Sequence, residues 1–315
     1  MLSVAVCTWN RAARLARTLE AMTRLEPPGA GGGDGGWELV VVDNGSTDGT
    51  AATIDGFAGR LPVRRVTEPR TGLSHARNAA VAAARGAAIV WTDDDVLVEP
   101  GWLAAYARAL DRWPDADVFG GPILPHFDAP PPAWLAAGLP QVRNAYALLD
   151  LGPEPVPLGG ARLPFGANYA IRTAAQRRVA YSPALGRVGA ALGSGEETAV
   201  VRALLDAGAR GWWVPEARVA HLVPPERQSV RFLRAYYRGN GASLHHEPGF
   251  HAPTHGPRLL GRPRWVWRLA VEQQLLYWLR RPSAPPERWL RHLRLASSAW
   301  GTLLARPPRE DGRGA

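Results

Sequence analysis

Short apolar runs that stop at polar or acidic residues alternate with helical spacings over the first two-thirds of the chain. Residues 3–8 form a β-leaning run, after which Ala12, Leu15, Leu19 and Met22 recur on one helix face. A glycine-rich loop occupies residues 27–36. Residues 38–42 read as a second buried strand that stops at Asp43-Asn44-Gly45, and residues 63–67 as a third. An alanine-rich helix over 74–85 ends at Gly86, and residues 88–92 form a fourth strand running into Asp93-Asp94-Asp95. This rhythm predicts a wound, mostly parallel α/β sheet. Ligands in such sheets sit beyond the carboxyl ends of the strands, where Thr8, Asp43 and Asp93 fall.

Beyond residue 117 the pattern becomes mixed. Short strands at 118–124, 168–172 and 212–214 are separated by Pro/Gly-rich connections, with one helix at 198–206. Residues 245–264 read as a linker or lid. Two amphipathic helices follow, one with the stripe Trp267, Val271, Leu275, Trp278 and one with Trp289, Leu293, Ala296, Trp300, Leu303. The expected division is a sheet domain over 1–240 and a lid with a helical appendage over 241–315.

Composition adds exclusions. With 46% hydrophobic and 21% charged residues, the 315-residue chain is an ordinary globular one. The single cysteine, Cys7, excludes an intrachain disulfide framework and a cysteine-based zinc site, and fits a reducing compartment. No run is long and apolar enough to span a membrane, and the first residues do not read as a signal peptide. All 37 basic residues are arginine, giving a net charge of +9. That charge suits either a coding bias or an anionic partner, for which arginine offers bidentate phosphate contacts.

Three adjacent carboxylates repel one another unless a cation neutralises them, so Asp93, Asp94 and Asp95 form either a Mg²⁺ or Mn²⁺ site shared with phosphates or a solvated turn. Asp43 opens a good turn sequence, or accepts hydrogen bonds from a nucleobase. Glu196 and Glu197 are acids in a helix's first turn, or hold a general base poised by its neighbour. His221 ends a strand-like run and is weak evidence alone. The glycines at 31–36 precede a strand instead of following one, which excludes a dinucleotide fingerprint, and no phosphate-binding loop with its lysine exists.

Taken together and in order, the segments 4–11, 38–49, 72–78, 91–95 with 100–103, 166–168 and 195–198 resemble family 2 glycosyltransferases, inverting enzymes of the GT-A fold, over roughly residues 1–240. The resemblance implies a GT-A-like sheet with a nucleotide-binding half and a mixed acceptor half. It implies that Thr8 and Asp43 hold the nucleoside base with Asn10 and Arg11 nearby, and that Arg77 contacts the nucleotide while Asn78 braces its loop. Asp93, Asp94 and Asn168 complete the nucleotide-sugar site, Asp95 binds the metal with Asp93, and His221 completes that metal site. Relatives usually carry Glu-Asp where this chain has Glu196-Glu197; the second acid, Glu197, is the expected base, with Glu196 also in reach. The implied reaction is a single displacement from a nucleoside-diphosphate sugar onto a hydroxyl of a sugar, glycolipid or small molecule. The implied setting is bacterial cell-envelope or natural-product glycosylation in the cytoplasm. The competing readings are a sugar-phosphate nucleotidyltransferase, a transferase that binds donor without chemistry, and, on charge alone, a nucleic-acid-binding protein. For the C-terminal helices, packing on the domain, on a second subunit or on the inner membrane surface all remain open, as does the oligomeric state.

Overall fold

The computed structural model describes residues 1–29, 36–185, 195–244 and 257–305. In chain order these form β1 (Leu2–Thr8), α1 (Ala12–Met22), β2 (Trp37–Asp43), α2 (Thr50–Asp55), β3 (Val63–Thr67), α3 (Leu73–Ala83), β4 (Ala88–Asp93), β5 (Val96–Val98), α4 (Trp102–Arg112), β6 (Ala116–Gly120) and β7 (Ile123–His126). They continue with α5 (Ala133–Val142), β8 (Asn168–Arg172), α6 (Thr173–Gln176), α7 (Glu196–Asp206), β9 (Arg210–Trp213), β10 (Val219–Leu222), α8 (Val230–Leu244), β11 (Arg258–Leu259), β12 (Arg262–Pro263), α9 (Arg264–Arg280) and α10 (Pro286–Leu304). Of the linker or lid read over 245–264, residues 245–256 lie outside the described residues and the rest holds β11 and β12; residues 30–35 of the glycine-rich loop and residues 186–194 before Gly195 also lie outside them.

Two compact units divide the chain. Unit 1 comprises residues 1–126 and 146–222, and unit 2 comprises 127–145 and 223–315. Unit 1 is built on a seven-stranded sheet of order β3-β2-β1-β4-β8-β6-β9. The first four of these strands are mutually parallel, and β8 runs antiparallel to both β4 and β6. Strands covered on both faces must be apolar throughout. Val4, Ala5, Val6, Val40, Val41, Ile89 and Val90 are accordingly all fully buried. The parallel register sets Thr8 beside Asp43, and Cys7 beside Asp93. The apolar runs therefore end together, at one edge of the sheet.

The strand expected over 118–124 is two strands. Gly121-Pro122 breaks the run, leaving β6 in the large sheet and β7 in a separate sheet of order β5-β10-β7. Proline has no N–H for a central ladder and restricts the residue before it, so the chain changes sheets there. Helix α4 follows Pro100-Gly101 and buries Trp102, Tyr106, Ala109 and Leu110 on one face.

Unit 2 is helical. Its centre is α10, whose stripe keeps Trp289, Leu293, Ala296 and Leu303 buried and Trp300 partly buried, against α8, α9 and α5. Gly301 lies so close to the Arg238 carbonyl of α8 that a β-carbon would collide with it, which lets the two helix backbones touch. Of the stripe read on α9, Trp267 lies against the buried cluster shared with α10 and the other three positions do not. Val266, Ala270, Gln273 and Tyr277 face inward, Val266 and Ala270 packing on Ala299 and Leu303 of α10, while Val271, Leu275 and Trp278 face solvent. Among the described residues no helix is long and apolar enough to cross a membrane.

Candidate active site

The polar ends of β1, β2 and β4 are organised by the loops that follow them. Asn10 adopts a left-handed φ of 51°, which asparagine tolerates better than most residues, and its Oδ1 accepts the Thr47 N–H at 2.7 Å. The Asn10 N–H donates to Ser46 Oγ at 2.9 Å, and the Ser46 N–H donates to Asp43 Oδ1 at 2.9 Å. Asp43 thus shapes its own turn and remains at the strand end. Asn44 does comparable work one loop further on. Its amide donates to the carbonyls of Glu68 and Arg70 at 2.9 and 2.7 Å and accepts the Gly72 N–H at 2.9 Å, which anchors the entry to α3. The sequence reading did not select Asn44, because an Asp-Asn-Gly turn gives no sign of such distant partners.

The acidic triplet separates into three environments. Asp93, the last residue of β4, is 37% exposed. Asp94 is buried and accepts the Thr8 hydroxyl and Arg11 Nη1, each at 2.7 Å. Burial pushes its carboxyl up to about 6, against the pull of the Arg11 cation and with a push from Asp95. Asp95 lies 3.4 Å from Arg11 through Oδ2 and 3.1 Å from His221 Nε2 through Oδ1. The pairing of β10 with β5 sets His221 opposite Val96, directly after the triplet. His221 Nδ1 stands 2.7 Å from the Tyr146 carbonyl. A carbonyl can only accept, so Nδ1 carries a hydrogen, and Nε2 is the nitrogen turned toward Asp95.

A carboxylate and an imidazole nitrogen at this separation can share a cation, and a histidine fixed through its second nitrogen is the usual support for a metal-binding ring. Oxygen donors with one imidazole suit Mg²⁺ or Mn²⁺. Among the described residues no three such side chains are close enough to cage an ion alone. That is the ordinary situation for a cation that completes its shell with substrate phosphates and water. The residues present fit the group.

Arg77 links this edge to α7. Its guanidinium is buried, with Nη2 3.9 Å from Asp93 Oδ1 and Nε 3.5 Å from Glu196 Oε1. It is enclosed by the rings of Trp91, Tyr169 and Tyr181, whose centroids lie 5.6, 5.8 and 5.4 Å from Cζ, and Nη1 donates to Tyr169 Oη at 2.6 Å. The β4–β8 register sets Trp91 opposite Tyr169, which builds two walls of this cage. Glu196 and Glu197 form the first turn of α7. Glu196 is 2% exposed, and burial, then the neighbouring Glu197 charge, push its carboxyl up to about 7 against the Arg77 cation. Glu197 is half-buried. A β-carbon on Gly166 would stand 2.7 Å from Arg77 Nη2 and 3.4 Å from the Glu197 carboxyl, so only glycine allows the chain to pass there.

Three of the expected site residues are tied up by the protein's own groups. Asn168 is fully buried and saturated. Its Oδ1 accepts from Trp102 Nε1 and Tyr106 Oη, each at 2.8 Å, and its Nδ2 donates to the carbonyls of Pro122 and Ala217 at 2.9 and 2.7 Å. It fixes where β8 meets β6 and does not join the cluster. The Thr8 hydroxyl is committed to Asp94. Asn78 exchanges two hydrogen bonds with the Tyr181 backbone, at 2.8 and 2.9 Å, and so holds one wall of the Arg77 cage.

The chain is similar to several known proteins. Residues 3–156 match the family model described as glycosyl transferase family 2. The succinoglycan biosynthesis protein ExoM of Rhizobium meliloti is 25% identical over 236 residues, covering 74% of this chain and 70% of that protein. Among solved structures, the mannosyltransferase PcManGT of Pyrobaculum calidifontis, in complex with GDP-Man and Mn²⁺, superposes with a TM-score of 0.59 at 18% identity, covering 96% of this chain and 87% of that one. S. aureus TarS 1–349 superposes with a TM-score of 0.54 at 16% identity, covering 96% and 90%. Likenesses at these identities carry the fold, which is the GT-A arrangement.

Proposed function

We propose that the chain is a member of glycosyl transferase family 2, whose family model matches residues 3–156, and that unit 1 transfers a sugar from a nucleoside-diphosphate donor to an acceptor hydroxyl by a single inverting displacement. The observation that supports this most is the meeting at Arg77 of Asp93, from a strand end, and Glu196, from a helix start, 103 positions apart in the chain. Donor and base groups from separate elements are thereby brought to one edge of the sheet.

In this reading Asp43 accepts hydrogen bonds from the base, and Asn10 and Asn44 hold the loops around it. Thr8 and Arg11 act through Asp94, keeping the triplet in its turn. Asp95 and His221 would hold Mg²⁺ or Mn²⁺, with donor phosphates and water completing its shell and Asp93 beside it, and the ion when bound would supply positive charge against the departing diphosphate. The mannosyltransferase neighbour, with its GDP-Man and Mn²⁺, supports both donor class and metal. Arg77 is already matched by two carboxylates, so it holds the site's acids in place instead of serving as a spare phosphate ligand.

Glu197 is the base. It is the more accessible of the two acids, and its carboxylate takes the acceptor proton as the acceptor oxygen attacks the anomeric carbon from the face opposite the diphosphate. The bond to the diphosphate oxygen breaks in the same step, so no sugar becomes attached to the enzyme. The test is a panel of UDP-, GDP- and dTDP-sugars with Mn²⁺ or Mg²⁺, read as thermal stabilisation and as transfer. Glu197→Gln should keep the donor-dependent shift and lose transfer by about 10²–10⁴-fold. Asp95→Asn should lose the cation-dependent part of the shift. Undiminished transfer by Glu197→Gln removes the assigned base, and an unchanged shift in Asp95→Asn removes the assigned metal ligand.

A further inference from the structure

We propose that the outer face of α9 is a docking surface for an anionic lipid bilayer, on which the helix lies in the plane of the headgroups. The two long faces of α9 are both apolar, and only one is used within the protein. Val266, Ala270, Gln273 and Tyr277 pack inward. Directly opposite, Val271, Leu275, Trp278 and Leu279 are 47, 50, 59 and 72% exposed, and their spacing puts them on one continuous stripe. Leu259 and Leu260, before the helix, add to the exposed apolar surface. Isolated apolar residues on a surface are ordinary; a continuous stripe of four over about two turns indicates something that covers it.

Charge decides what covers it. Residues 223–315 carry 16 arginines against six acids, whereas unit 1 carries 20 arginines against 21 acids. Arg264 and Arg268 extend the exposed stripe toward the helix start, Arg280 and Arg281 flank its end, and all four are exposed. Glu272, the sole acid of α9, stands 3.8 Å from Arg268. A second copy of this face would bring arginine against arginine. A bilayer bearing anionic headgroups answers both features, because the leucines enter the acyl boundary, the tryptophan sits at the interface and the guanidiniums reach the phosphates. With no described helix able to span the bilayer, contact in the plane is the geometry that fits.

The proposal does not depend on the reaction assigned to unit 1, and its test reads a different quantity. The full chain is floated with vesicles of phosphatidylcholine alone and of phosphatidylcholine mixed with phosphatidylglycerol. Binding should be at least about tenfold stronger to the anionic vesicles and should weaken with added salt. The variant Leu275→Ser/Trp278→Ser/Leu279→Ser should bind about tenfold more weakly while keeping the wild-type melting temperature, since it alters solvent-facing positions alone. Arg264→Gln/Arg268→Gln should lose much of the anionic preference. Failure of the wild-type chain to float with anionic vesicles overturns the proposal. So does a triple variant that floats like the wild type, or a wild-type dimer in solution that the triple variant converts to monomer while vesicle binding is unchanged.

Discussion

The two units use arginine in opposite ways. In unit 1 the arginines at the candidate site are matched: Arg11 by Asp94 and Asp95, and Arg77 by Asp93 and Glu196. Twenty arginines there face 21 acids. In unit 2 the arginines outnumber the acids, and Arg264, Arg268, Arg280 and Arg281 along and just after α9 are exposed. The net charge of the chain is therefore a property of its helical part, and a pI taken over the whole sequence says nothing about the donor site. An interior cation costs so much unpaired that its position is dictated by its partners. A solvated one is free to serve an outside surface.

The largest effect expected from this contrast is that of Arg77→Met. The substitution leaves Glu196 buried without its cation and opens the aromatic cage, so it should destabilise unit 1 by about 3–5 kcal/mol. Denaturant unfolding of the variant would measure it, and a loss below about 1 kcal/mol would show that Arg77 is not the hub of the site.

The pH dependence of stability comes next. Glu196 is raised from 4.5 to about 7 and Asp94 from 3.8 to about 6, so the folded site holds protons that the unfolded chain releases. Their stabilising contribution is complete below their unfolded values and is lost as the pH climbs through 6 and 7. Without metal, the melting temperature should therefore fall between about pH 5 and 8, and Glu196→Gln should flatten that slope. A slope that survives in both Glu196→Gln and Asp94→Asn would mean that other groups carry it.

Much of this arrangement could be read in the sequence, and the parts that could not share a cause. The ends of β1, β2 and β4 were legible because strands covered on both faces write unbroken apolar runs that must stop where the sheet stops. Periodicity also found the stripes on α9 and α10. It could not tell which stripe was covered, because α9 turns inward a face that includes Gln273 and Tyr277, residues a hydrophobic pattern passes over. The Arg77 cage was illegible for a related reason. Trp91, Tyr169 and Tyr181 are brought together by strand pairing and a loop, and no local spacing connects them. Asn44 and Asn168 mark the same boundary: each looks like an ordinary polar residue in a motif, and only tertiary partners reveal that each is a saturated brace.

The smallest expected effect sharpens the contrast between the units most directly. Arg234 of α8 lies with Cζ 4.9 Å from the Tyr277 ring, nearly the same kind of contact that Arg77 makes with its own aromatic walls. If cation–aromatic contact were what stabilises these residues, the two arginines would be worth similar amounts. Arg234 is half-exposed, however, so water still solvates its charge, and among the described residues it has no ion pair with a buried carboxylate. Arg234→Gln should then cost only about 0.5–1 kcal/mol, the value of an exposed cation–π pair. Measured beside Arg77→Met under the same denaturant, a several-fold gap would assign the difference to the buried carboxylates. Equal losses would assign it to the rings, and the division of the chain into a matched and a solvated set of arginines would fail with it.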